Sequence, residues 1–412
     1  MARLKKKAKK RIFLLFFLLI VLFGFISVKY IFNDKFKNNP IKKKIDEIVE
    51  PEDPIKVYTA KLIATGDGLI HSPLYKAAYN SSTNTYDFTH MLTYTKEKLK
   101  NYDIKYYNQE TVFDDSKPYT SYPIFNTPSQ FGDAMIDAGF NMVSLATNHS
   151  MDAGGTSAKV SASWWESKEN ILTHGMASSE EMRQNYQIKE ANGITYTMLS
   201  YTYGTNGLGA SAINAEPFIV NLYNEETVKK DIEAVRDKVD ILIVAMHWGI
   251  EYNQSATETQ RSQAKFLADN GVDIILGNHS HCIEPWEWID DTVVFYSFGN
   301  FISNQMGAEQ AIVRKVGTVG MFGTLDITKT VDTENDTTEI KIDNIGADLN
   351  YTYRYYNSEK GKNDYLVIPF SKMESKYLSN YENIYNEFSE VLKKYDDSII
   401  IEPLPDIPAN EN

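Results

Sequence analysis

Hydrophobic patterning along the chain begins with an uncharged apolar run over residues 12–28. Its length is at the short end of a bilayer-crossing helix, and Tyr30, Ile31 and Phe32 extend it past Lys29. Seven cations (Arg3, Lys5, Lys6, Lys7, Lys9, Lys10 and Arg11) precede it. The positive-inside rule keeps residues 1–11 in the cytoplasm, so 12–32 reads as a single-pass anchor with everything beyond it outside the cell. A cleaved signal peptide is the competing reading, but no small-x-small site follows the run. Residues 33–56, with Pro40, Pro51 and Pro54, lack periodicity and read as a stalk.

From residue 57 apolar strands and amphipathic helices alternate. Strands are predicted over 58–64, 104–107, 142–146, 194–200, 240–245, 272–276 and 293–296. Helices are predicted over 129–138, 158–171, 228–239 and 257–270, the first stopped by Gly139 and the last by Gly271. This alternation over 57–310 indicates an α/β fold. The rest, 311–412, reads as a β-rich and helical extension: hairpin strands over 316–327 and 338–358, a polar turn at 330–338, a helix over 379–395 and a proline-containing tail.

Composition narrows the function. The net charge is −13, and setting aside the seven N-terminal cations leaves the outer part at about −20, which argues against a nucleic-acid partner. A bound metal would reverse that field locally. The single cysteine, Cys282, excludes an intramolecular disulfide, and it is expected to pack as a small buried residue. A bacterial surface protein that folds on its core alone fits this usage.

Polar clusters fall just after the predicted strands, where open α/β sheets bind ligands. Five of the seven histidines lie in them: His71, His149, His247, His279 and His281. His90 and His174 read as lying elsewhere. The two imidazoles of Gly277-Asn278-His279-Ser280-His281 can reach neighbouring positions on a borderline ion such as Zn, Mn or Fe. Asn148 offers a neutral oxygen, and His149 beside it can act as an acid toward a leaving group. In His247-Trp248-Gly249-Ile250-Glu251-Tyr252, Glu251 is expected to accept a bond from the His247 ring. Trp248 is read as either core packing or a stacking surface for ligand. Asp67, Glu110, Asn148, His71, His247, His279 and His281 make up the ligand inventory of a divalent two-metal site.

These segments resemble the ordered motifs of the CapA family, the bacterial capsule and poly-γ-glutamate synthesis proteins of the PgsA type. The resemblance runs through Gly66-Asp67, Asn108-Gln109-Glu110, Thr147-Asn148-His149-Ser150-Met151-Asp152-Ala153-Gly154, the two segments above and Ser297-Phe298-Gly299-Asn300-Phe301. That family is similar to calcineurin-like metallophosphoesterases, which implies a four-layer α/β/β/α sandwich. By this likeness Asp67, Glu110, Asn148, His247, His279 and His281 hold metal and His149 is the acid. His71 is a further metal or substrate contact, and Asp152, Trp248, Glu251 and Asn300 support ligands or meet substrate. The chain departs from the phosphoesterase pattern at Leu69, where a histidine is usual, and at Glu110, where a bridging Asp is usual. Asn278-His279-Ser280-His281 likewise replaces a His-His-Pro-His type of segment.

Two functions follow from the resemblance. The first is a surface metalloenzyme acting on a phosphoester or an amide-linked polymer during capsule or poly-γ-glutamate export. The second is a non-catalytic assembly subunit that holds an anionic polymer (poly-γ-glutamate or capsule polysaccharide) beside membrane synthase subunits.

Overall fold

The computed structural model describes residues 54–405. The predicted anchor and all but the last residues of the stalk lie outside them. Among the described residues no helix is long and apolar enough to cross a membrane. These residues divide into a large unit, 57–330 with 338–405, and a small one, 54–56 with 331–337.

The stalk reading ends inside a strand, because β1 spans Ile55–Gly68. A small hairpin, β2 (Tyr79–Asn80) and β3 (Thr85–Tyr86), precedes β4 (Ile104–Gln109), β5 (Met142–Ser144) and β6 (Leu172–His174). The chain then builds a second sheet from β7 (Lys189–Ala191), β8 (Ile194–Thr202), β9 (Ile241–His247), β10 (Ile274–Asn278), β11 (Trp286–Ile289) and β12 (Thr292–Phe295). It returns to the first through β13 (Asn300–Ile302), β14 (Val319–Asp332), β15 (Thr337–Asn357), β16 (Lys362–Pro369) and β17 (Ile400–Ile401).

The first sheet runs β16-β15-β14-β1-β4-β5-β6, with β13 also on β1 and β17 on β15. The second runs β11-β12-β10-β9-β8-β7. Strands β1, β4, β5 and β6 are parallel, as are β8, β9, β10 and β12. Their carboxyl ends therefore lie together in each sheet.

Strand periodicity sorts the core into three clusters. Leu62, Ala64, Tyr106 and Met142 of the first sheet share one with Met198, Ile243, Ala245, Ile274 and Leu276 of the second. The alternate residues Ile63, Tyr107 and Val143 pack with Phe131, Met135 and Trp165 of helices Gln130–Ala138 and Gly155–Glu166. Leu242, Val244, Met246 and Ile275 pack with Val228, Ile232, Ala264 and Leu267 of helices Glu225–Val235 and Glu258–Asp269. β9 is buried along its whole length, which explains its continuous apolar run. Each Leu or Ile buried this way contributes about 1.5–3 kcal/mol.

Local signals set the element ends. Thr257 and Gln260 form a reciprocal capping box on helix Glu258–Asp269. Gly139 closes Gln130–Ala138 at φ 115°. The helix predicted over 158–171 runs instead over Gly155–Glu166: Ile171 supplies a periodic apolar position but is buried in the connection to β6. Helices Ser72–Ala78 and Thr93–Leu99 are too short to show periodicity.

Candidate metal centre

The parallel strand ends bring the polar segments to one place. Asp67 lies at the end of β1, Glu110 just after β4, Asn148 and His149 after β5, His247 at the end of β9, and His279 and His281 just after β10. Close backbone contact secures the first of these. A Cβ on Gly66 would stand 1.7 Å from the Gly299 carbonyl oxygen, and Asp67 N donates to that same oxygen at 3.0 Å. Only glycine fits there.

Asp67, Glu110 and His281 form a buried group whose ligand atoms all lie within 4.8 Å of one another. His281 Nδ1 is 3.2 Å from Asp67 Oδ2, and its Nε2 is 3.6 Å from Glu110 Oε1. Both Glu110 oxygens are buried with no hydrogen-bond partner among the described residues. A buried carboxylate that accepts no hydrogen bond is costly. A divalent cation removes that cost, so the donor set fits a metal.

A second arm adjoins the first. His247 Nε2 lies 2.9 Å from Asn148 Oδ1 and 3.9 Å from Glu110 Oε1. The His279 ring is 4.8 Å from the His247 ring and 6.1 Å from the His281 ring. His279 and His281 both adopt positive φ, at 96° and 57°. For non-glycine residues this is strained backbone of the kind that gathers at functional sites.

Electrostatics separates the imidazoles. Burial lowers His279 to about 3, with His281 pushing the same way, and burial also holds His247 well below its usual value. Both are neutral at pH 7, the form that binds metal. Burial would lower His281 too, but Glu110 and Asp67 overcome it and raise this ring to about 10.

His149 stands apart from the ligands. Its Nδ1 is 2.7 Å from Asp152 Oδ2, which also accepts from Phe125 N at 2.7 Å. The Phe125 ring packs edge-on against His149 at 4.8 Å and against His71 at 5.4 Å. His71 is half-buried, and its Nδ1 accepts from Asn304 N at 3.2 Å. It lies outside the Asp67–Glu110–His281 group.

Other predicted residues sort differently. Asn300 Oδ1 is 3.1 Å from His281 Nδ1, and the amide is fixed by donating to Gln305 Oε1 and Gly317 O. Glu251 is exposed and does not hold His247. That ring is flanked instead by Asn148 and by Asn108, whose Nδ2 is 3.4 Å from His247 Nδ1 and donates to Asp67 Oδ1 at 2.8 Å. Trp248 is packing, not a ligand surface: it stacks on Tyr296, donates to the Tyr296 carbonyl at 2.9 Å and belongs to the core beneath the helices. One residue along an extended chain turns a side chain to the opposite face, which separates Trp248 from His247.

The two excluded histidines have structural roles. His90 pairs with Asp364 at 2.6 Å. His174 does end a strand, β6, but it is buried and its Nδ1 accepts from Ser200 N at 2.8 Å. Cys282 is fully buried, as expected.

Residue reasoning passed over Asn108 and Gln305. Asn108 lies two residues before Glu110 but has no special chemistry in isolation. Gln305 links Asn300 to the Tyr252 hydroxyl, to which its Nε2 donates at 3.0 Å, and nothing local marks it.

The mixed α/β fold collects buried carboxylates and imidazoles at its parallel strand ends, a donor set that could hold a divalent metal. Residues 61–305 match the family described as "Bacterial capsule synthesis protein PGA_cap". The chain belongs to that family. It is 33% identical over 170 residues to "PGA biosynthesis protein CapA" of Bacillus subtilis (strain 168), covering 41% of this chain and 44% of that protein. It is 30% identical over 177 residues to "Capsule biosynthesis protein CapA" of Bacillus anthracis, covering 42% of each. The matched region thus spans under half the length of these curated relatives. Among solved structures, a Mycoplasma pneumoniae phosphatase aligns at TM-score 0.41 and 16% identity, over 80% of this chain and 100% of that one. A calcineurin-like phosphoesterase from Bacillus subtilis aligns at TM-score 0.36 and 12% identity, over 81% and 99%.

Proposed function

We propose that this chain is a membrane-anchored, outward-facing enzyme of capsule or poly-γ-glutamate biosynthesis, with a divalent-metal site that cleaves phosphodiester linkages in or attached to an anionic polymer. On this reading the three core clusters are the interfaces of a four-layer α/β/β/α metallophosphoesterase-like sandwich. The observation that carries it is the pair of unpartnered, buried Glu110 oxygens beside Asp67 and His281.

Asp67, Glu110 and His281 would hold one ion, and Asn148, His247 and His279 are the donors for a second. A bound divalent ion supplies Lewis acidity and a water activated at neutral pH. Asp152 fixes Nδ1 of His149 and leaves Nε2 as the nitrogen for proton transfer. As a water that gives up one proton to solvent adds to phosphorus, the bond from phosphorus to the leaving oxygen breaks, and protonated His149 supplies that oxygen's proton from Nε2 and is then reprotonated by solvent. Such general-acid help is worth about 10²–10⁴-fold in rate.

Elemental analysis of the purified protein tests the metal, and a phosphodiesterase assay tests the acid. Glu110→Gln and His281→Ala should each lose metal. His149→Asn should keep it and lose at least about 10²-fold in turnover. Unchanged metal in the doubly substituted protein would sink the site. Full polymer output from cells carrying His149→Asn, with metal retained, would instead favour a non-catalytic assembly subunit.

A further inference from the structure

We infer that the mouth of this site recognises the sugar ring of a glycosyl phosphodiester, through Tyr203, Tyr252 and Glu251, and not a run of free carboxylates. The inference rests on the reading of the cleft as a phosphodiester site and adds the substrate class.

Charge is the first observation. The segments at the strand ends (65–72, 108–127, 145–155, 202–210, 247–257, 277–285 and 297–310) contain a single Lys or Arg, Lys117. Its ammonium is already committed to the Ala153 carbonyl at 3.0 Å and Ser157 Oγ at 2.6 Å. The same segments carry Asp67, Glu110, Asp114, Asp115, Asp152, Glu251, Glu284 and Glu309. A polyglutamate chain would bring further carboxylates to this rim with no guanidinium or ammonium to receive them. Recognition of carboxylates relies on such groups.

Exposed aromatic surface is the second. Tyr203 is 54% exposed, although its ring lies only 4.7 Å from the ring of His279. Its backbone is fixed, since Tyr203 N donates to the His247 carbonyl at 3.1 Å. The Tyr252 ring sits 5.9 Å from His281, and its hydroxyl is anchored through Gln305 to Asn300. Between the exposed Ile250 and the partly buried Tyr252 stands the exposed Glu251. Gly249 at φ 94° and Tyr252 at φ 62° shape this turn.

Rigid aromatic faces next to a free carboxylate acceptor suit a pyranose. Its C–H face is apolar and lies against a ring, while its hydroxyls donate to the carboxylate. The phosphoryl group of such a ligand would reach the buried ligands just behind Tyr203 and Tyr252. Recognition is thus divided between a neutral sugar outside and the single phosphodiester charge inside.

Calorimetric titration of the full chain in detergent, with maltotetraose and with tetra-γ-glutamate as probes, tests this. Maltotetraose should bind more tightly than tetra-γ-glutamate. Tyr203→Ala should weaken maltotetraose at least tenfold, Tyr203→Trp should restore it, and Glu251→Lys should weaken it while improving tetra-γ-glutamate. Tighter binding of tetra-γ-glutamate by the unsubstituted chain would overturn the inference. So would undetectable maltotetraose binding, or Tyr203→Ala binding within twofold. Metal content, measured on the same preparations, keeps the two readings separate. Metal retained without saccharide binding defeats only this inference. Saccharide binding in a protein that takes up no metal defeats only the phosphodiesterase reading.

Discussion

At the scale of single residues, burial decides what each ionisable group does. Glu110 and Glu284 are both buried glutamates with raised pKa, yet their surroundings differ. Glu110 faces two potential co-ligands. Glu284 meets only neutral partners such as Gln260, whose Nε2 donates to it at 2.7 Å. Burial raises Glu284 from 4.5 to about 8. The native state therefore keeps its proton across a range where the unfolded chain has lost it. The stability this contributes is complete below about pH 4.5 and is lost as pH rises through about 8. Glu284→Gln should flatten that fall, which amounts to at most about 1.4 kcal/mol per pH unit. Urea melts at pH 5, 6.5 and 8 measure it; an unchanged slope would mean that Glu284 is not the group responsible.

Elements act here chiefly by where they end. Helix Glu258–Asp269 follows the loop that leads from His247 through Glu251, and its start is set by the Thr257–Gln260 capping box. Thr257→Ala should cost about 1 kcal/mol of stability and leave metal content unchanged, as a thermal melt beside elemental analysis would show. Loss of metal would tie the cap to the site. Gly66 is less forgiving, because β1 and Gly299 meet there with no room for a methyl group. Gly66→Ala should give a chain that fails to accumulate folded, read by circular dichroism. A folded Gly66→Ala protein with full metal would show that the β1 end can move without disturbing Asp67.

At the scale of the whole molecule, the proposed topology places everything beyond the anchor outside the cell. External protease on intact cells should then release the described residues and leave a fragment ending within residues 33–54. A protected ectodomain would reverse the orientation. The outer part of the chain, about −20 overall and with its strand-end segments nearly free of cations, has no field to hold a polyanion non-specifically. On the proposed function, recognition then rests on the candidate metal site and its rim.

The periods of the strands and the long helices, the turn glycines and every proposed ligand were legible in the sequence, and the supporting roles of Asn108 and Gln305 were not. These are local properties: side-chain alternation, caps and polar clusters each extend over a few residues. Their convergence is not local. His279 N donates to Asp67 Oδ2 at 3.4 Å from 212 residues away, and only the parallel order of β4, β1, β9 and β10 within their sheets makes that contact. Sequence proximity even misleads within one segment. Glu251 lies four residues from His247 yet faces solvent, and Asn108, distant in the chain, takes the place beside that ring. His174 ends a strand as His247 does, but its ring is buried in the core, where Nδ1 accepts from Ser200 N. Periodicity determines which way a side chain points from its own strand. What it points at depends on which strands lie beside it, and that is settled only when the sheets form and pack.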